Sequence, residues 1–234
     1  MATKRIVLLA NSRKHADRCL AGREITNQQL GGWIRPVSAR PGEGLDEHER
    51  RYEGNIEPAV LDIIDVPLIR ANPHACQTEN WLVSRDEYWV RRGSVTWDQA
   101  AQIAETPPIL WVNGFHTYHG LNDEIPQARA NGLTTSICMI RVQSVDIDVV
   151  NGYNAGTKKV YAYFEHEGNR YKFSLTDSIF EPHFKAGPIG SATFGDSLLT
   201  ISLSEPFTKN DGSVCQYKLV AALIPRTNGI PEIA

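Results

Sequence analysis

The sequence predicts a mainly β protein with minor α content, whose C-terminal half forms a five-strand barrel of the OB type. Apolar, β-branched runs recur along the chain and are separated by Gly, Asn and Asp residues that favour turns. A Gly-Asn pair at residues 168–169 joins two of these runs as a predicted hairpin. One long connection, residues 177–196, separates the third strand of this half from the fourth, as an OB-type barrel allows.

The N-terminal elements begin with residues 4–11, a predicted strand. Its uninterrupted apolar run, residues 6–10, is typical of a strand buried on both faces. Residues 12–30 mix polar and apolar side chains with a weak helical period, which predicts a short helix or helical turns. After a Gly-Gly pair, residues 33–37 are predicted as a short strand. Proline cannot donate a backbone hydrogen bond to a neighbouring strand. Pro36 therefore indicates that this strand lies at a sheet edge or that Pro36 lies at the end of the strand.

Loops dominate the next predicted stretch. Residues 41–58 are dense in charge and predict a loop, residues 61–70 a strand, and residues 71–84 a polar loop. A helix is predicted to begin after Thr96, whose hydroxyl suits an N-cap. Residues 113–133 mix Asn, Gly, Pro and His and predict an extended loop or linker.

The C-terminal half shows the clearer strand pattern. A long strand, or two strands joined at a bend, is predicted first, and shorter strands follow it around the hairpin and around an Asn-Asp-Gly turn. These predicted strands are residues 137–150, 159–167, 169–176, 198–203 and 216–224.

Composition indicates an ordinary globular protein. Of 234 residues, 41% are hydrophobic and 22% charged, and no apolar run approaches the roughly 18 residues that a membrane helix needs. The apolar run near the N-terminus is too short for a signal peptide. The four cysteines are widely spaced, which favours reduced thiols over a disulfide framework. We therefore expect a cytoplasmic protein without a membrane partner.

Charge is unevenly distributed although the net charge is only −3. Residues 1–40 contain eight cationic and two acidic side chains, a net charge of +6. Residues 41–65 contain two cationic and eight acidic side chains, a net charge of −6. A local basic block can attract phosphate even on a mildly acidic protein. The alternative is that the two blocks face each other or simply solvate the surface. The small net charge favours a short ligand over a long nucleic acid.

Several catalytic motifs are absent from the sequence, among them the phosphate-binding loop GxxxxGK[ST], GxGxxG, HExxH and GxSxG. His116 and His119 have a spacing that could serve one metal ion on a helix, but the glycines around them favour a loop. We predict neither a metal nor a cofactor.

The first candidate site follows the first predicted strand. Backbone amides, a hydroxyl and cations at such a junction suit an anion such as phosphate. A solvated turn is the alternative interpretation. The residues concerned are Asn11, Ser12, Arg13 and Lys14, with His15 and Arg18 close by.

A second candidate pairs Trp33 with Arg35, two residues apart on one strand face. Together they could hold a nucleobase by stacking and cation–π contact. Alternatively, a Trp after Gly-Gly plugs the end of a barrel.

The third candidate is a polar run that ends in an aromatic residue, formed by Gln77, Glu79, Asn80 and Trp81. Amide side chains can read base edges, and a carboxylate can accept a hydrogen bond from a base amino group. The same run could also be a structural turn in which Asn80 caps the local backbone.

Three blocks spread over nearly the whole chain carry a family resemblance: KRIVLLANSRK with GGWIRPVS, then QTENW, then TISLSEPF with YKLVAALIP. The sequence resembles a family of bacterial dual OB domain-containing proteins. That resemblance implies two OB-like small β-barrels, residues 1–130 as a first barrel elaborated with a helix and residues 131–234 as a second. It also implies a nucleic-acid or nucleotide partner, within bacterial defence or conflict systems.

Three functional hypotheses remain open, and the sequence favours the first. The protein is a module that binds single-stranded nucleic acid or a nucleotide, using the three candidate groups above. As an enzyme, it would process such a ligand with Glu79, Asp177 or His74 as acid or base. As a subunit, it would dock a protein partner on the acidic loop 43–57. Asp177 and Lys218, single ionisable residues near strand ends, are otherwise expected to be caps or surface residues.

Overall fold

The computed structural model describes residues 2–14, 16–27, 29–40, 42, 44–227 and 229–233. His15 and Glu43, which belong to the predicted anion site and the acidic loop, lie outside these residues. By its contacts the chain divides into two compact units. Unit 1 comprises Met1–Ile103 with Thr134–Ser136, and unit 2 comprises Ala104–Leu133 with Ile137–Ala234. The family resemblance implies a boundary after residue 130, and that boundary stays a prediction.

Unit 1 is built from strands, with one short helix among its described residues. In chain order its elements are β1 (Ala2–Lys14), β2 (Asp17–Thr26), β3 (Gln29–Val37), β4 (Asp62–Ala71), β5 (Asn80–Val83), β6 (Val90–Ser94) and α1 (Trp97–Ala101).

The strands of unit 1 close on themselves. Strand β1 pairs with β2, β2 with β3, β3 with β5, β5 with β4, and β4 returns to β1. The β3–β5 pair is parallel and the others are antiparallel, and β6 adds to the first half of β4. In the described part of unit 1, the ring therefore contains five strands. Such a five-strand barrel is the OB architecture, so the first barrel is confirmed.

Two predictions for unit 1 are wrong. Residues 12–30 form no helix in their described part, because β1 extends to Lys14 and β2 occupies Asp17–Thr26. Both edges of β2 are paired, and these inter-strand hydrogen bonds outweigh a weak local helical preference. The predicted loop 71–84 ends in β5, Asn80–Val83. The strands predicted at 4–11, 33–37 and 61–70 are confirmed, as is the Thr96 N-cap, whose side chain accepts from the Gln99 amide.

Gly22 allows β1 and β2 to approach closely. A Cβ at this position would meet the carbonyl group of Val7 on β1. We expect Gly22→Ala to lower the free energy of unfolding by about 1–3 kcal/mol, the usual effect of overpacking. Urea denaturation followed by tryptophan fluorescence measures this. Gly32→Ala is the matched control, because a Cβ there meets nothing within 4 Å. Equal effects of the two variants would contradict the steric explanation.

Unit 2 has a longer set of elements. They are β7 (Glu124–Pro126), α2 (Gln127–Ala130), β8 (Ile137–Val142), β9 (Val145–Asn151), β10 (Lys158–His166), β11 (Asn169–Leu175), α3 (Phe180–Ala186), β12 (Gly190–Phe194), β13 (Ser197–Leu203), β14 (Phe207–Thr208) and β15 (Val214–Pro225). The predicted linker 113–133 thus contains β7 and α2, and the long connection 177–196 contains α3 and β12.

Unit 2 repeats the barrel connectivity of unit 1. Strands β8 and β9 act as one bent strand, and so do β12 and β13, since β12 pairs with β9 while β13 pairs with β8. The ring continues through β10, β11 and β15, with β11 and β15 parallel. The predicted five-strand barrel is confirmed. The β10–β11 turn is centred one residue earlier than predicted, because Glu167 and Gly168 adopt the positive φ values of 47° and 71°.

Each barrel has its own apolar core. Unit 1 buries Ile6, Leu8 and Trp89 among others, and unit 2 buries an aromatic group that includes Phe164 and Phe173. None of the helices in the described chain is long and apolar enough to cross a membrane.

Candidate nucleic-acid interface

The first candidate group lies along the β1–β2 hairpin. Arg13 is opposite Arg18 and Lys14 is opposite Asp17, so these cations flank the turn. Arg13 is exposed and Lys14 partly exposed. Further down β1, Asn11 and Ser12 are buried. In OB folds, the loop between the first two strands is one of the elements that bind oligonucleotides.

Positive charge accumulates at this hairpin. Burial lowers the pKa of Arg18, and so does the charge of the neighbouring Arg50 guanidinium. Asp17 and Glu57 act in the opposite direction, and Glu57 accepts from Arg50 at 2.7 Å. Mutual repulsion among guanidinium groups is relieved when an anion such as phosphate lies between them.

The two charge blocks of the sequence partly neutralise each other. Arg40, from the basic block, lies 3.0 Å from Glu49 and 3.5 Å from Asp46, which belong to the acidic block. Arg5 donates to Asp65 at 2.6 Å. These ion pairs offset charge locally between the two blocks, and the cations of the β1–β2 hairpin lie at another part of the basic block.

Trp33 lies on β3 directly opposite Arg23 of β2. The Arg23 guanidinium is 5.8 Å from the centroid of the Trp33 ring, and both side chains are partly exposed. A cation beside a partly exposed indole is suited to stacking a nucleobase. The sequence predicts that Arg35 pairs with Trp33. In the structure the Arg35 guanidinium contacts Glu79.

Arg35 is part of a buried ion pair. Its guanidinium lies 2.9 Å from a carboxylate oxygen of Glu79 and donates to the Ser136 hydroxyl at 3.0 Å. The Ser136 hydroxyl in turn donates to the same carboxylate. Arg35 and Glu79 are only 7% and 8% exposed. The pair fastens the loop between β4 and β5 to strand β3, because the Arg35 amide also donates to the Glu79 carbonyl.

The remaining polar residues of the third group also bond within unit 1. The Asn80 side chain donates to Gln77 Oε1 at 3.1 Å, and both residues are buried. Trp81 packs against the core, with the Lys4 ammonium 4.4 Å from its ring centroid. Lys4 also donates to Glu24 at 2.7 Å. Trp81 therefore lies between the apolar core of unit 1 and the Lys4–Glu24 ion pair.

Arg35, Gln77, Glu79 and Asn80 thus meet where β3 adjoins β5. Asn11 bonds elsewhere, because its side-chain amide donates to the Pro58 carbonyl at 3.3 Å. The four side chains that meet are buried and bond in two pairs, Arg35 with Glu79 and Asn80 with Gln77. The role of the ten predicted residues in binding a ligand stays a prediction.

The residues considered for acid–base chemistry have structural surroundings. The Asp177 carboxylate accepts from the amides of Ile179, Phe180 and Leu223, and burial raises its pKa. His74 is exposed in the β4–β5 loop. Lys218 was expected to be a cap or surface residue, and this was wrong, since it is fully buried in unit 2. The described residues contain no group of three His, Cys, Asp or Glu side chains placed to hold a metal ion.

Unit 2 also carries exposed aromatic residues that were not predicted from the sequence. Tyr118 is 89% exposed and Tyr153 is 72% exposed. One signal could have revealed Tyr153, which lies among turn-forming residues as Gly-Tyr-Asn-Ala-Gly, where a turn gains nothing from an aromatic side chain.

Comparison with known families agrees with the two barrels. The family model described as Dual OB-containing domain matches residues 4–223. The chain belongs to this family. The match covers both units of the dual OB-containing domain, and the resemblance seen in the three sequence blocks is confirmed.

Known sequences and structures add little to the family match. No curated protein is similar enough in sequence to the dual OB-containing domain to count as a relative. Among solved structures, this chain is similar to a murine DNA-binding protein bound to double-stranded DNA. The alignment covers 96% of this chain and 100% of the murine chain. The identity is 9% and the TM-score 0.32, and we infer neither fold nor ligand from so weak a similarity.

Proposed function

We propose that this dual OB-containing domain binds short single-stranded nucleic acid at the barrel of unit 1, with the β1–β2 hairpin holding phosphate. The observation that carries the proposal is the group of cations at that hairpin, Arg13, Lys14 and Arg18. The hairpin corresponds to a loop that contacts the ligand in OB folds. Trp33, with Arg23 beside its ring, supports it by offering a stacking surface on β2 and β3.

Fluorescence anisotropy with a labelled thymidine oligonucleotide of about 15 nucleotides, a length that one OB barrel can hold, tests the proposal. Binding driven by phosphate contacts weakens steeply with salt, because cations are released from the nucleic acid. The double variant Arg13→Ala, Lys14→Ala removes two contacts. It should therefore flatten the slope of log K against log salt by about 1.4, at about 0.7 per contact on a single strand.

Arg226→Ala is the matched control, since it removes a surface cation that lies 3.2 Å from Asp196 in unit 2. The control should leave the salt slope as in the wild type. A mononucleotide titrated in parallel shows whether a single phosphate-bearing ligand is enough. No binding of either ligand to the wild type at low salt and high micromolar protein would refute the proposed function.

A further inference from the structure

Three tyrosine rings of unit 2 surround the ring of His119. The ring centroid of His119 is 4.7 Å from that of Tyr118, 6.2 Å from Tyr153 and 6.0 Å from Tyr161. Tyr118 meets the histidine edge to face. We call these four residues the aromatic surface. Its outer members, Tyr118 and Tyr153, are largely exposed, whereas Tyr161 is buried beneath.

The aromatic surface occupies the part of the barrel with which OB folds contact oligonucleotides. Tyr161 lies on β10, the second strand of the ring, and Tyr153 lies in the β9–β10 loop, which corresponds to the β1–β2 loop of unit 1. The segment that carries His119 is fixed to β11, because Leu121 and Lys172 exchange backbone hydrogen bonds of 3.1 and 3.0 Å. The fold therefore holds Tyr118 and His119 over this face.

Lysines border the aromatic surface. The Lys159 ammonium lies 4.1 Å from the centroid of the Tyr153 ring, and Lys172 lies 5.6 Å from that of Tyr161. Asp148 accepts from Lys172 at 2.6 Å, so part of that charge is matched. Burial and the nearby charge of Lys185 lower the pKa of Lys159. A cation that is repelled by a second cation favours an anionic ligand, so Lys159 is placed to contact phosphate.

Folding does not account for the exposed rings. The aromatic residues that stabilise unit 2 are packed inside it, where Phe164 lies 5.5 Å from Tyr171 and 5.4 Å from Phe173. Tyr118 buries little of its ring, and removing apolar area from water is what makes an aromatic side chain stabilising. Exposed rings on either side of a third ring, with a cation at the border, are instead suited to stacking successive bases.

We propose that the aromatic surface is a second binding site of this protein, which stacks unpaired bases of single-stranded nucleic acid. Tyr118 and Tyr153 are the stacking platforms, and Lys159 contacts the adjoining phosphate. This inference rests on the proposed function, which supplies the class of ligand. It extends that function by naming the chemical group that is recognised, the unpaired base. A duplex is not a ligand for this site, because its bases are already stacked on one another.

Anisotropy titrations of the full chain test this with three probes: labelled oligo-thymidine, an abasic chain with the same number of phosphates, and the matching duplex. The double variant Tyr118→Ala, Tyr153→Ala should weaken oligo-thymidine binding about tenfold to a hundredfold, as expected for lost base stacking. Binding of the abasic chain should not change. Tyr118→Phe with Tyr153→Phe keeps the rings and should retain wild-type affinity.

The matched control is Tyr88→Ala in unit 1, a 46% exposed tyrosine with the Arg51 guanidinium 4.7 Å from its ring centroid. This variant should bind like the wild type. Thermal unfolding shows whether each variant is folded, which we expect because the substituted rings are exposed.

The outcomes separate the two proposals. If the wild type binds oligo-thymidine and the Tyr118, Tyr153 double variant binds it equally well, the aromatic surface is not a binding site, while the proposed function stands. If that variant loses binding and the Arg13, Lys14 double variant does not, the aromatic surface stands and the site proposed in unit 1 is wrong. Equal loss of the abasic chain would also overturn base stacking. No binding to the wild type overturns both.

Discussion

Glu79→Ala is expected to lower the free energy of unfolding of unit 1 by about 3–5 kcal/mol. The substitution leaves the Arg35 guanidinium buried without its counter-charge and removes the acceptor of the Ser136 hydroxyl. A buried charge that loses its partner destabilises a protein far more than the intact pair stabilises it. The effect should be larger than that of any exposed ion pair in the unit.

Urea denaturation followed by tryptophan fluorescence measures this change. Four of the five tryptophans belong to unit 1, so the signal reports mainly on that unit. Arg85→Ala is the control, because Arg85 is 45% exposed and lies 3.1 Å from Asp46. Loss of such a surface pair should change the stability by less than about 1 kcal/mol.

A second variant separates charge from packing. Arg35→Leu combined with Glu79→Leu removes both charges and keeps apolar volume, and it should recover most of the stability that Glu79→Ala loses. If Glu79→Ala were as mild as Arg85→Ala, the guanidinium would be reached by solvent, and the structural role assigned to the pair would be wrong.

Lys218→Met is expected to stabilise unit 2 at neutral pH and to remove a pH dependence from it. The Lys218 ammonium is enclosed by the rings of Tyr171 and Phe173, at 5.8 and 5.6 Å, and donates to the Val112 carbonyl. Burial lowers the pKa of Lys218 to about 7, although the charge of Asp123 acts in the opposite direction. Methionine fills a similar volume without carrying a charge.

The direction of the pH effect follows from proton binding. In the unfolded chain a lysine keeps its proton up to about pH 10.4, whereas folded Lys218 loses it near pH 7. Between these values the unfolded state binds more protons, so the stability of the wild type rises with pH. The rise from pH 7 to pH 10 should be on the order of 3 kcal/mol relative to Lys218→Met.

Scanning calorimetry of both proteins between pH 7 and pH 10 measures this difference, and groups that titrate in both proteins cancel in it. Lys185→Met is the control, because Lys185 is a partly exposed lysine of the same unit. It should leave the pH-dependent rise in place. A stability difference between wild type and Lys218→Met that does not change with pH would show that folded Lys218 keeps its proton.

The second barrel could be predicted because its signals are local. The strand pattern of residues 159–176 alternates around a turn with positive φ, and that period alone places Phe164 and Phe173 inside. The Thr96 N-cap was likewise predictable, because a capping box involves residues only three apart.

The first barrel could not be found from the residues in the same way. Strand β2 carries a charged or polar residue at most positions outside Leu20 and Ala21, so its apolar period is short. What makes it a strand is pairing with β1 on one edge and β3 on the other. Such pairing depends on the two neighbouring segments of the chain, and the residue pattern of β2 alone does not contain it.

The candidate site residues also differ in how far the sequence predicts their roles. The residue types that suit a phosphate were visible in Arg13 and Lys14, since charge is a property of the sequence itself. The partners of buried polar groups were not. Glu79 could have faced a ligand, and the fold turned it to Arg35 because a carboxylate removed from water is stable only beside a cation.

The sequence by itself thus determined a mainly β chain, the strands of the second barrel and a basic block near the N-terminus. Tertiary structure alone decided the closure of the first barrel, the burial of Lys218 and the gathering of Tyr118, His119 and Tyr153 at one surface. Hydrophobic period and turn chemistry act over a few residues and can be read along the chain. Barrel closure and the meeting of side chains from separate loops depend on long-range strand register, which exists only once the chain has folded.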